Sequence, residues 1–206
     1  MSQIILDMGS GNTCKNSVDY AYKMIDAVAA IDSHKHEVIF KWQLFMDEPP
    51  NVPLDHLVFG RAYAHAKGLG YKTTSSVFDK ASLDFLLNFD IPFVKIACRP
   101  RLYWLIGEVP RKVKVYVSWD GKLETGWFTP NEVLNCVPKY PAPLSEYSIS
   151  REVSDHTEGL ALWNESKTWG GIRIWEKHFI LEDDPNNPDC AGHAIKPDLL
   201  KEVIGA

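Results

Sequence analysis

No stretch of this chain approaches the roughly 20 consecutive apolar residues of a membrane-spanning helix, so a membrane is not an expected partner. Basic residues are in deficit: 22 Lys and Arg stand against 27 Asp and Glu, a formal charge of −5. Nucleic acid is not an expected partner either, because a phosphate backbone calls for clustered Lys and Arg. Cysteine is sparse and scattered, at Cys14, Cys98, Cys136 and Cys190, with no C-x-x-C pair. Residues 1–9 lack the basic stretch and long apolar core of a secretory signal. Reduced thiols and a cytoplasmic location are the resulting expectations, since disulfides belong to oxidising compartments. Low-complexity tracts, fixed-period repeats and Gly/Ser linkers are all missing, so residues 1–206 are expected to form one domain.

What the chain does have is a core to bury and an alternating pattern. Seven Trp, eight Tyr and nine Phe argue against disorder. A short apolar run at residues 4–8 precedes Val18, Ala21, Ile25 and Val28, whose spacing is one face of a helix that Asn16 or Ser17 could cap. Strands are expected at 38–43, 71–75, 92–97, 113–118, 133–137, 151–154 and 172–179. Helices are expected after Leu54 up to Gly68, from an Asp79 cap to Leu87, from a Thr157 cap to Gly170, and from Pro197 to Ile204. Strands alternating with helices imply parallel pairing with right-handed crossovers. Eight strands in about 200 residues fit a compact (β/α)8 TIM barrel near its lower size limit. Asp120-Gly121 suggests a hairpin in place of the fifth helix, and the Pro-rich 139–150 stretch suggests an irregular connection after strand 6, so helices around strands 5 and 6 should be short or missing. An open doubly wound sheet is the alternative.

Polar residues near strand ends are the informative ones. Side chains alternate faces along a strand, so Lys41 and Gln43 share a face with Ile39, and Lys95 shares one with Phe93 and Ala97. Ile174, Glu176 and His178 share another, as do Ser154 and His156, and Asp7, Ser76, Ser118 and Asn135 lie close to strand ends. A lysine inside an apolar strand is costly unless paired or solvated. Two of them near carboxylates and histidines suggest an anion site at the carboxyl end of a barrel, where barrel active sites sit. Plainer readings stand beside this one. Lys41 and Lys95 could point outward or form structural ion pairs. His156 and His178 match no short metal motif. Asp155 could cap the next helix, Glu176-Lys177 could be ordinary strand polarity, Trp163 and Trp169 could pack helix on barrel, and Cys98 and Cys136 could be small buried apolar residues.

Read in order, the motifs resemble one family. VSDHTEG (153–159) resembles the "SDHT-x-G" signature of sialic acid synthases, and IWEKHFIL (174–181) resembles their "EKHFTLD" strand. NPD (187–189) stands where the family has "GPD", and FKWQLF (40–45) resembles "VKFQTF". SSVFD (75–79), SLDFL (82–86), IPFVKIA (91–97), NCVPKYP (135–141) and LDMGS (6–10) resemble further motifs at similar spacing. The resemblance implies a TIM barrel that condenses phosphoenolpyruvate (PEP) with N-acetylmannosamine or a related sugar aldehyde. It implies a divalent metal on His156 and His178, manganese first, with magnesium or cobalt as alternatives. It implies catalytic roles for Asp7, Lys41, Lys95 and Asp189, and substrate contacts from Gln43, Ser76, Phe78, Ser118, Tyr140 and Ser154. A homodimer is the partner state the resemblance suggests.

Against the family pattern the PEP and metal halves look retained and the sugar half altered, although Cys98 stands at a phosphate-side serine. Asp7 replaces a glutamate, Cys98 a serine, Pro100 a glutamate, Asn135 a histidine, Pro138 a polar residue and Val77 a proline. The resemblance ends near Ile204, where the family normally continues into an antifreeze-like domain that donates an arginine to the sugar. Arg99 and Arg101 are candidates to replace that arginine, or else solvated loop charges. A divergent aldolase or lyase, or an inactive ligand-binding relic on the same barrel, are the alternative functions.

Overall fold

The structure, a computed structural model, describes residues 1–121 and 131–205. Eight strands close into one parallel barrel in chain order: β1 (Gln3–Asp7), β2 (Glu37–Leu44), β3 (Lys72–Val77), β4 (Val94–Ile96), β5 (Val115–Trp119), β6 (Glu132–Cys136), β7 (Glu152–Asp155) and β8 (Ile174–His178). Closure comes from β1 pairing with both β2 and β8, with Asp7 beside Lys41 on one side and His178 on the other. The open-sheet alternative is thereby excluded.

Helices cover the outside. α1 (Val18–Ala29) is capped by Ser17, whose hydroxyl accepts from the Tyr20 amide at 3.3 Å, and it buries Ala21, Met24, Ile25 and Val28. α2 (His56–Gly68) is capped by Asp55 and α3 (Lys80–Leu86) by Asp79. After β4 the chain forms a 3₁₀ segment, Pro100–Glu108, which tucks Leu102, Tyr103 and Leu105 against the barrel. The expected hairpin after Asp120-Gly121 lies outside the described residues. Between β6 and β7 the chain makes a single 3₁₀ turn, Leu144–Glu146, as its proline content suggests.

The helix after β7 differs from expectation. α4 spans only Ala161–Ser166 and runs on as one 3₁₀ turn that Gly170 ends at φ 102°. Thr157 does not cap it directly, because Gly159 at φ 52° turns the chain before the helix starts. Thr157 instead donates its hydroxyl to Asp155 at 2.7 Å and accepts from the Leu162 amide at 3.3 Å. Asp155 likewise braces this turn rather than capping a helix. α5 (Pro197–Ile204) begins at the foreseen proline.

Two apolar layers result from the strand alternation. Outward residues such as Leu6, Phe40, Trp42, Val94 and Trp175 pack against the helices, and the Trp163 ring lies 5.0 Å from that of Trp175, tilted by 46°. Inward residues Ile5, Ile39, Phe93, Tyr116, Leu134 and Ile174 form a separate plug at the amino end of the barrel. Phe93 and Tyr116 stack there with parallel rings 4.0 Å apart. That plug is the floor on which the next inward layer stands.

Lys177 departs from the plain reading of strand polarity. It points outward from β8 yet is fully buried, donating to the Thr157 carbonyl at 2.6 Å and lying 3.3 Å from Asp155. Asp155 also accepts from Trp175 Nε1 at 2.9 Å. Burial pushes the Lys177 ammonium below its usual range, and the Asp155 carboxylate opposes that.

Candidate functional site

One step along each strand from the apolar plug, the inward side chains turn polar. Asp7, Lys41, Ser76, Lys95, Ser118, Cys136, Ser154 and Glu176 form this layer, set side by side through the registers of β1 with β2, β3 with β4, and β7 with β8. Lys41 Nζ lies 2.6 Å from Asp7, 3.2 Å from Glu176 Oε1 and 2.8 Å from Ser76 Oγ. Lys95 Nζ lies 3.0 Å from Glu176 Oε2 and 2.6 Å from Ser118 Oγ. One glutamate thus bridges two buried lysines. Gln43 donates to Asp7 at 3.1 Å.

These pairings set the protonation states. Burial would depress Lys41, but Asp7 and Glu176 outweigh it and hold its pKa raised. Burial would raise Glu176, but the Lys95 and Lys41 ammonium groups hold its carboxyl far below the usual range. Lys41 therefore stays cationic, buried at the bottom of the cleft.

Above this layer sits a cluster of imidazoles. The His156 and His178 rings are 5.6 Å apart. His156 Nδ1 lies 2.8 Å from the Val137 carbonyl, an arrangement that leaves Nε2 free to act as a ligand. Burial pushes His156 down to about 3 and keeps it neutral. His178 stands between two carboxylates, with Nδ1 2.8 Å from Asp189 and Nε2 3.6 Å from Asp7. Burial opposes its charge, yet Asp7 and Asp189 hold its pKa raised. Burial would raise Asp189, but His178 and the Thr13 hydroxyl hold it at about 2. Thr13 donates to Asp189 at 2.6 Å. Gly9, at φ 72°, lets the chain pass under both: a Cβ there would collide with Thr13 and Asp189.

A cavity of about 340 Å³ opens over both layers. All twelve residues expected from the sequence line it: Asp7, Lys41, Gln43, Ser76, Phe78, Lys95, Ser118, Tyr140, Ser154, His156, His178 and Asp189. Glu176, Cys98, Cys136, Arg99 and His193 line it too. Glu176 had a signal, since it shares a face with His178; His193, on an irregular loop, had none. Arg99 lies 2.6 Å from Glu48 and packs over the Phe78 ring at 5.2 Å, at the cavity rim. Arg101 pairs with the same Glu48, is mostly solvent-exposed and does not line the cavity.

Cys98 and Cys136 both line the cavity; Cys136 is buried as the plainer reading expects, whereas Cys98 is only partly so. A hydrogen bond from Cys136 holds the Cys98 thiol below its ordinary pKa, whereas burial pushes Cys14 up to about 11. Cys98 should accordingly alkylate with iodoacetamide at least about tenfold faster than Cys14 at pH 8, thiolate fraction outweighing the lower nucleophilicity. Timed alkylation read by peptide mass spectrometry checks this; equal rates would contradict it.

No protein-family model matches the chain, and no curated protein matches it in sequence. Solved structures do. N-acetylneuraminic acid (sialic acid) synthetase from Leptospira borgpetersenii serovar Hardjo-bovis superposes with a TM-score of 0.72 at 18% identity, over 98% of this chain and 80% of that one. Spore coat polysaccharide biosynthesis protein SpsE from Bacillus subtilis gives 0.72 at 20% identity, over 98% and 66%. A truncated 3-deoxy-D-arabino-heptulosonate 7-phosphate synthase from Thermotoga maritima gives 0.65 at 11% identity, over 99% and 84%. The chain has the barrel fold of the sialic acid synthase and SpsE proteins.

Proposed function

We propose that this chain is a sialic-acid-synthase-like enzyme that condenses PEP with an amino sugar or another aldose to a nonulosonic or related sugar acid. The observation that carries the reading is the shared cavity: two buried lysines paired with Glu176 at its base face a His/Asp cluster at its mouth. Lysines held this way suit a dense anion, because fixed cations in a dry cleft act without solvent reorganisation. The lining is also balanced, Lys41, Lys95 and Arg99 against Asp7, Glu176 and Asp189. A polyanion and a divalent cation can therefore enter together without leaving a large net charge.

In this reading Lys41 and Lys95 hold the phosphate and carboxylate of PEP, with Ser76, Ser118 and Ser154 donating hydroxyl hydrogen bonds and Gln43 an amide. His156, His178 and Asp189 would hold the metal, which polarises the acceptor's aldehyde as a Lewis acid. The donor set fits a borderline divalent ion, since neutral imidazole and carboxylate are its usual ligands. The PEP methylene carbon bonds to the aldehyde carbon, water adds to the resulting cationic carbon, and the carbon–oxygen bond to phosphate breaks. That water gives up both of its protons, one ending on the aldehyde oxygen and the other on the departing phosphate as the ketone forms; Asp7 and Asp189 are carboxylates bordering the cavity there. Phe78, Tyr140 and Arg99 at the rim would face the sugar. Domain extent 1–206, a homodimer and manganese as the preferred ion belong to the same proposal. Two of the similar structures are named as synthases of sugar acids, which supports the reaction class.

The purified protein with manganese and PEP should release inorganic phosphate in the presence of some aldose and not in its absence. N-acetylmannosamine, mannosamine derivatives, mannose and arabinose 5-phosphate form the panel. Phosphate release with none of them, while PEP still binds, would replace this reading by that of a ligand-binding relic.

A further inference from the structure

The loop that leaves β8 carries a histidine into the imidazole cluster. His193 is only 2% exposed, and neither ring nitrogen has a hydrogen-bond partner among the described residues. Buried polar atoms are nearly always satisfied, and leaving one unsatisfied costs stability, so an imidazole with two bare nitrogens calls for a ligand. Its neighbours indicate which kind. The ring lies 4.6 Å from that of His178 and 6.1 Å from that of His156, and its Nε2 is 4.0 Å from Asp189 Oδ1. His178, Asp189 and His193 each present one donor atom, all within 4.8 Å of one another. The gap from His193 to Asp189 is too long for a hydrogen bond. It is within the donor-to-donor spans of roughly 3–4.3 Å that metal–ligand bonds of about 2.0–2.2 Å produce. His178 Nδ1 is near Asp189 but off the hydrogen-bond line, as expected of two ligands turned toward a common point.

The backbone holds His193 in place. Ile195 donates to the His178 carbonyl at 2.9 Å and accepts from the Ile180 amide at 3.0 Å, which stitches the returning loop to the end of β8. Tyr140 flanks the cluster, its ring 4.8 Å from His193 and 4.3 Å from His156.

We propose that His193 is a third imidazole ligand of the cation held by His156 and His178, with Asp189 as the carboxylate. The inference rests on the metal reading above. It has a consequence that a two-histidine site lacks. A nitrogen-richer donor set favours cobalt and zinc over manganese more strongly, following ligand preference and the order of divalent affinities. The cation would also tie the β8 loop to the barrel mouth.

Chelator-stripped protein titrated with Co²⁺, followed by its visible d–d absorption and by calorimetry, tests this without any turnover assay. Parallel titrations use Zn²⁺ and Mn²⁺. In His193→Ala, Co²⁺ and Zn²⁺ affinity should fall by about 10–100-fold, at least the loss that an outer-shell partner causes. Mn²⁺ affinity should fall by less than about threefold, and the Co²⁺ band should shift. His193→Asn, which keeps a polar group of smaller size, serves if the alanine variant does not fold. An unchanged Co²⁺ affinity and spectrum in a folded variant would overturn the third ligand while leaving the two-histidine site intact. A wild-type protein that binds none of the three ions would overturn the metal reading itself.

Discussion

Glu176→Gln should destabilise the folded protein by about 3–5 kcal/mol, the cost of removing one partner from a buried ion pair. The side chain keeps its shape, so the loss would be electrostatic. Lys95 would retain only Ser118 Oγ at 2.6 Å and a longer contact to its neighbour's carbonyl. Lys41 would keep Asp7, so most of the penalty should fall on Lys95. The same substitution should leave the cavity with a surplus positive charge. PEP or inorganic phosphate should therefore raise the melting temperature more in the variant than in the wild type, because the anion takes the place of the missing carboxylate. Urea unfolding with and without ligand measures both effects. A loss below about 1 kcal/mol would mean that the lysines are not held as a charged pair across Glu176.

Removing either lysine is the second large effect. Lys41→Ala and Lys95→Ala should each weaken PEP binding by about 1.5–3 kcal/mol, the range for hydrogen bonds to charged groups, or roughly 10–150-fold. The two changes should not add, because both lysines share Glu176 and each truncation also alters what the other faces. Lys41→Ala carries the further cost of leaving Asp7 and Glu176 without their common counterion. Calorimetric titration of PEP into both variants, with circular dichroism to show that they fold, checks the expectation. Unchanged affinity in both would remove PEP's phosphate from this layer.

Particular residues show how far the sequence could be read. Lys41 and Lys95 stood out because a charged residue within an apolar strand conflicts with strand burial, and period-two alternation put Gln43 on the face of Lys41. The motif order carried the expectation of a barrel, and closure of β1 onto β8 bears it out. Glu176 shared the face of His178 and could have been chosen, but nothing local distinguishes a bridging glutamate from ordinary strand polarity. Lys177, next to it, looked the same in sequence and proved to be buried on the opposite side against Asp155.

The sequence by itself determined which strands exist, which side chains share a face, and which chemistry the strand ends carry, because those follow from local periodicity and residue type. Tertiary structure alone decided what meets what. Glu176 reaches both lysines only because β8 returns beside β1, which sets it across the barrel lumen from β2 and β4. His193 enters the imidazole cluster only because the β8 loop folds back through Ile195. Contacts between residues far apart in the chain depend on barrel closure and loop path, and neither leaves a period in the sequence.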